Sequence, residues 1–115
     1  MKITLYHNPQ CSKSRQTLNL LQEQGADVTI IEYLKTPLTV TELENVAQKL
    51  GLEPRQFMRH GEAEYQNENL ANENLTNQEL LEAIVKHPRL LERPIAVTET
   101  KAVIGRPPEN VLTLL

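Results

Sequence analysis

The chain opens strand, helix, strand, and that order restricts its fold more than any other feature. Residues 2–6 (Lys2-Ile3-Thr4-Leu5-Tyr6) alternate polar and apolar side chains, which predicts a short strand. From Cys11 to about Gln24, Leu18 and Leu21 recur at helical spacing, and Gly25 stops the helix. Val28-Thr29-Ile30-Ile31-Glu32-Tyr33 is β-branched and aromatic and predicts a second strand. Such a unit makes its two strands parallel neighbours joined by a right-handed crossover. It also puts the joint between first strand and helix, residues 7–11, at the end of a sheet.

Farther along, Thr39-Val40-Thr41-Glu42 and Thr76-Asn77-Gln78-Glu79 share the capping-box spacing that starts a helix. Leu43, Val46, Ala47 and Leu50 line one face of the first, which Gly51 ends. Leu80, Leu81, Ile84 and Val85 form the stripe of the second, which His87-Pro88 closes. A short helical turn is expected over residues 55–59 after Pro54. Between the two helices, residues 62–74 are rich in Asn and Glu and read as an exposed, mobile loop. Pro94-Ile95-Ala96-Val97 and Ala102-Val103-Ile104 predict two more short strands around the turn Thr98-Glu99-Thr100. Pro107-Pro108 then introduces a last helix, about residues 108–115. The order implies an α/β fold: a central four-stranded mixed sheet flanked by helices, with a helical insertion after the second strand. At 115 residues, one domain spanning 1–115 is expected.

The only cysteine, Cys11, sits at the strand-to-helix joint in Tyr6-His7-Asn8-Pro9-Gln10-Cys11-Ser12-Lys13-Ser14-Arg15. A buried structural thiol usually lies within an apolar run, and this one is among polar neighbours. At a helix start it faces unpaired N–H groups and the positive end of the helix dipole, both of which favour the thiolate. Lys13, Arg15 and His7 add positive charge. The same N–H groups form a cradle for a tetrahedral oxyanion. Cys11 and Ser14 make a C-x-x-S spacing in which a hydroxyl replaces the second thiol of a dithiol motif. The chain cannot close its own disulfide, so turnover needs an outside thiol. A C-x5-R phosphatase loop would need arginine at position 17, which is Thr17.

Around Cys11, His7 either tunes the thiol or bonds the backbone at the end of the first strand. Ser14 either donates to the thiolate or only occupies the first helical turn. Arg59, Arg93 and Arg106 each lie at the edge of a predicted element, and Arg93-Pro94 suggests a cis-proline turn at the mouth of a strand. His60 and His87 read as solvent-facing residues at helix ends. No cluster has metal-ligand spacing, so no metal is expected, and there is no Gly-rich phosphate loop. A net charge of −3 argues against a nucleic-acid face, and no apolar stretch is long enough for a membrane span. A lone cysteine and no recognisable signal peptide point to the cytoplasm, and no leftover apolar stripe points to a monomer.

Taken together, the residues resemble the arsenate reductase family that couples to glutaredoxin, a branch of the thioredoxin-like folds. The resemblance runs from Met1 to Leu115. It rests on the segment Tyr6 to Arg15, on Leu90-Leu91-Glu92-Arg93-Pro94-Ile95, and on Ile104-Gly105-Arg106-Pro107-Pro108-Glu109. It implies that Cys11 attacks arsenate, that His7 and Ser14 help hold the thiolate, and that Arg59, Arg93 and Arg106 bind the oxyanion. It further implies glutathione as co-substrate, glutaredoxin as partner and no tightly bound cofactor. Two other readings share this fold: a glutathione-linked thiol oxidoreductase acting on another substrate, and a redox-responsive regulator that binds RNA polymerase. The regulator group typically carries C-x-x-C and lacks the Gly105-Arg106-Pro107-Pro108 segment.

Overall fold

A computed structural model describes residues Met1 to Leu115, which form two compact units. The first comprises residues 1–36 and 93–115, the second residues 37–92.

The first unit is built on a four-stranded mixed sheet: β1 (Lys2–His7), β2 (Asp27–Glu32), β3 (Ile95–Val97) and β4 (Ala102–Ile104), in the order β2-β1-β3-β4. β1 pairs parallel with β2 and antiparallel with β3, and β3 pairs antiparallel with β4. The parallel pair follows from α1 (Ser12–Glu23), which carries the chain from the end of β1 to the start of β2. The helix stops where Gly25 takes a left-handed φ of 76°, open to glycine at no steric cost. Thr98 closes the β3–β4 hairpin by accepting from and donating to Lys101.

Period-2 alternation sends Ile3, Leu5 and His7 to one face of the sheet. Cross-strand register adds Ala96 opposite Leu5 and Val103 opposite Ala96. Ile3, Leu5 and Ala96 form a core with Leu21 of α1 and with Val111 and Leu114 of the C-terminal segment. That segment, Pro108–Leu114, is the last helix that the sequence predicts, and it is of the 3-10 type. The register also collects three loops at one end of the sheet. Tyr6, near the end of β1, faces Ile95 at the start of β3, and Ile95 faces Ile104 at the end of β4. Cys11 after β1, Arg93-Pro94 before β3 and Gly105-Arg106 after β4 therefore leave from the same edge.

The second unit holds α2 (Val40–Leu50), a 3-10 turn (Pro54–Phe57), α3 (Ala63–Asn67), α4 (Asn77–Lys86) and a second 3-10 turn (Pro88–Leu90). Thr39 and Thr76 cap α2 and α4 as the sequence predicts: each hydroxyl accepts from the backbone N–H of its Glu, and each Glu carboxylate accepts in return. Leu43 and Val46 of α2 and Leu80, Leu81 and Ile84 of α4 are buried, whereas Ala47, Leu50 and Val85 are only half-buried.

Residues 62–74 are not the plain loop expected. They contain α3, and Tyr65 and Leu70 are buried. Arg55 supplies the reason. Its Nη1 donates to the Tyr65 hydroxyl at 2.7 Å and to the Leu70 carbonyl at 2.6 Å, and its Nη2 donates to the Asn72 carbonyl at 3.0 Å. His60 stacks on Tyr65 with ring centroids 4.6 Å apart and bonds the Arg55 carbonyl through Nε2. Asn69 turns the chain at a φ of 54°, a left-handed conformation that asparagine tolerates. His87 is half-buried, and its Nε2 bonds Glu68 at the surface at 2.8 Å. Arg55→Ala is expected to destabilise the protein by roughly 1.5–3 kcal/mol, the scale of hydrogen bonds from a charged donor. Urea unfolding measures it, and a change below about 0.5 kcal/mol would mean that other contacts hold residues 62–74.

Candidate active site at the end of the sheet

Cys11 is the N-cap residue of α1, with extended backbone (φ −94°, ψ 123°). Its N–H donates to the Asn8 carbonyl and its own carbonyl accepts from Arg15 N–H, so the cap backbone is satisfied. The loop before it is tight. The Asn8 side chain accepts from Gln10 N–H, and Arg15 Nη1 donates to the Pro9 carbonyl. The side chain at this cap is sulfur and makes no cap hydrogen bond. A partly exposed thiol thus stands where a helix start presents unpaired N–H groups.

Arg106 is the side chain in hydrogen-bond contact with that thiol, its Nη2 lying 3.5 Å from Sγ. Arg106 Nε donates to the Arg93 carbonyl at 2.7 Å, which aims the guanidinium. A donor carrying positive charge holds a thiolate more strongly than a thiol. Arg93 is half-buried and its Nε lies inside the protein. The Arg93–Pro94 bond is cis, as the sequence suggests, and so is Arg106–Pro107, which it did not suggest.

His7 and Ser14 are both buried and meet directly, with Nδ1 to Oγ at 2.6 Å. Ser14 Oγ also accepts from Asn8 N–H at 3.0 Å. The serine therefore ties α1 to the end of β1, and its partners are His7 and Asn8. Burial lowers the His7 pKa from its ordinary value; the Glu32 carboxylate opposes this and the Arg15 guanidinium adds to it. Burial thus disfavours the charged form of the His7 imidazole, which is joined to a hydroxyl one helical turn past the thiol.

Arg59 belongs to the second unit, where Nη1 pairs with Glu62 at 3.0 Å and Nε lies 3.9 Å from Glu92. Glu62 also reaches Arg89, at 3.5 Å. A groove of about 720 Å3 in the second unit is lined by Glu44, Gln48, Glu53 and Gln56 on its polar side, with neither thiol nor guanidinium among its lining residues. No group of three or more His, Cys, Asp and Glu side chains is arranged to hold a metal ion. No helix is long and apolar enough to cross a membrane.

The sequence reading gave three residues of this region no role in holding the site. Thr17 is wholly buried and its Oγ1 donates to the Lys13 carbonyl. Gly105 packs against Thr17 and Pro94. The Asn110 side chain bonds the backbone on both sides of Gly105-Arg106. Only Gly105, lying between a strand and Arg106-Pro107, carried a local signal.

The model of the ArsC family matches residues 6–114, a span that includes Cys11, Arg93 and Arg106. The chain belongs to the ArsC family. It is 47% identical to the arsenate reductase of Haemophilus influenzae over 116 residues, covering 100% of each chain. It is 45% identical to the uncharacterized protein YfgD of Escherichia coli, over 99% of this chain and 97% of that one. The solved structure of the arsenate reductase from Vibrio cholerae superimposes with a TM-score of 0.98 at 47% identity, covering 100% of this chain and 98% of that one. The thioredoxin-like fold of the ArsC family is therefore also the fold of this chain.

The lowered pKa of His7 has a measurable consequence. The unfolded chain takes up this proton near the ordinary value of about 6.5, while the fold resists it. Stability is full above that pH and falls as the pH drops toward the lower folded value. NMR titration of the His7 ring should give a midpoint below about 6.5. His7→Asn should flatten the acid-side loss of unfolding free energy, and a midpoint at or above the ordinary value would overturn the burial argument.

Proposed function

We propose that this protein reduces arsenate to arsenite through a covalent adduct on Cys11. The observation that carries the reading is the guanidinium of Arg106 held against the sulfur of a helix-capping cysteine. Full-length identity to arsenate reductases supports the choice of oxyanion.

The chemistry follows from charge. A thiolate and an arsenate anion repel, so the attack needs cationic donors that strengthen as the oxygens gather around sulfur. Arg106 provides one beside Sγ, and Arg93, whose carbonyl aims Arg106, is the second at this edge of the sheet. The N–H groups at the start of α1 bind the oxygens of the adduct. His7 and Ser14 hold the first turn of α1 against β1 and so keep the cap in place. Cys11 Sγ displaces a hydroxyl from arsenic(V), which leaves as water once protonated. Glutathione sulfur then displaces a second hydroxyl from arsenic as water, the glutaredoxin thiol attacks that sulfur and leaves the bonding pair on arsenic, and water frees arsenite from Cys11. In the balance two outside thiols become one disulfide, and their two electrons take arsenic(V) to arsenic(III). The protein needs no tightly bound cofactor, because the single thiol of Cys11 has no internal partner and the reductant comes from outside.

Arsenate-dependent NADPH oxidation, coupled through glutathione, glutaredoxin and glutathione reductase, tests the reading. Cys11→Ser should abolish turnover, since a hydroxyl is not ionised near neutral pH; retained turnover would remove Cys11 as nucleophile. Arg93→Ala and Arg106→Ala should raise the KM for arsenate by the equivalent of roughly 1.5–3 kcal/mol each. Unchanged KM in both would return them to ordinary surface roles. Arg59, the third arginine of the resemblance, is tested by the same substitution in the same assay. No turnover by the wild type, with Cys11 still open to alkylation, would shift the function to another substrate or to a binding role.

A further inference from the structure

Arg106 has a long, exposed side chain, and such a chain loses rotamer freedom when held in one geometry. Its guanidinium is nevertheless aimed at Sγ, which requires that the backbone bearing it be held as well. The structure shows two devices that do so, one on each side of the residue.

Before Arg106, the missing side chain of Gly105 allows a close approach. A Cβ there would lie 2.7 Å from Thr17 Oγ1 and 2.9 Å from Pro94 Cγ, closer than real Cβ atoms come. Gly105 N–H donates to the Pro94 carbonyl at 2.9 Å, extending the β3–β4 ladder by one bond. The backbone entering Arg106 is thus wedged between α1, one turn past Ser14, and the proline that follows Arg93. After Arg106, Asn110 closes the turn. Its Nδ2 donates to the Arg106 carbonyl at 3.0 Å and to the Ile104 carbonyl at 3.3 Å, and its backbone N–H donates to the Pro107 carbonyl at 3.0 Å. One amide therefore spans the end of β4 and the residue whose guanidinium reaches Cys11.

We infer that Asn110 is a positioning residue for Arg106: its side-chain amide holds the Ile104–Pro107 turn in the shape that brings the guanidinium to Cys11 Sγ. The inference rests on the reading that Arg106 acts on an oxyanion at Cys11. The Asn110 amide reaches backbone carbonyls and not the sulfur. Its removal weakens oxyanion binding only through Arg106.

The test uses two alkylating reagents of similar size, anionic iodoacetate and neutral iodoacetamide. The ratio of their rates at Cys11 reports positive charge beside the sulfur and needs no arsenate. Arg106→Ala should lower that ratio. Asn110→Ala should lower it by about threefold to fivefold, the scale of one neutral hydrogen bond, and should have no further effect in the Arg106→Ala background. In the coupled assay Asn110→Ala should raise the KM for arsenate by a similar factor with kcat nearly unchanged. A lower melting temperature with an unchanged ratio would make Asn110 a structural residue only and overturn the inference. So would equal, additive effects in the single and double variants, or a ratio that Arg106→Ala does not change. If the ratios behave as expected and arsenate is not turned over, the positioning role stands and the arsenate reading fails.

Discussion

The interior position of β1 is the constraint from which the rest of the site follows. Because β1 pairs parallel on one side and antiparallel on the other, its end lies beside the start of β3 and, through β3, the end of β4. A thiol leaving β1 then meets Arg106, which arrives from the far end of the chain. Cys11 and Arg106 are 95 positions apart and touch only because of this register. A slip of one residue would turn every side chain of β3 to the opposite face, and Ala96 would leave the core it shares with Leu5. Core packing and site assembly therefore depend on the same alignment.

Charge and burial are divided within the site. The cationic contact to the sulfur comes from Arg106, an exposed residue whose charge costs little desolvation. The buried pair behind the cap, His7 and Ser14, bonds to itself and to Asn8 N–H, and burial disfavours charge on the imidazole. A charged imidazole there would carry a desolvation penalty with only Glu32 to offset it. The thiol thus stands partly exposed at the rim, over a buried hydrogen-bonded support.

The second unit shows the limits of reading composition. Residues 62–74 are polar enough to suggest an unpacked loop, yet Tyr65 and Leu70 are buried and Arg55 satisfies carbonyls as far along the chain as Asn72. An arginine that binds backbone 15 and 17 residues away leaves no periodic trace in the sequence. The capping boxes at Thr39 and Thr76 are the opposite case. Their partners are three residues distant, so both helix starts are legible in the local sequence.

That contrast separates what the chain determined by itself from what its folding decided. Strand alternation, the two capping boxes, the helix stop at Gly25 and the placement of Cys11 at a helix start depend on neighbours a few residues apart, so local sequence suffices for them. The motifs around Cys11, Arg93 and Arg106 were also legible, and the family they suggested is the family to which the chain belongs. The sequence could not say which arginine reaches the sulfur, that Ser14 bonds His7 and Asn8, or that Asn110 and Gly105 frame Arg106. Those contacts depend on strand register and close packing, which join residues distant in the chain and are settled only when the sheet forms.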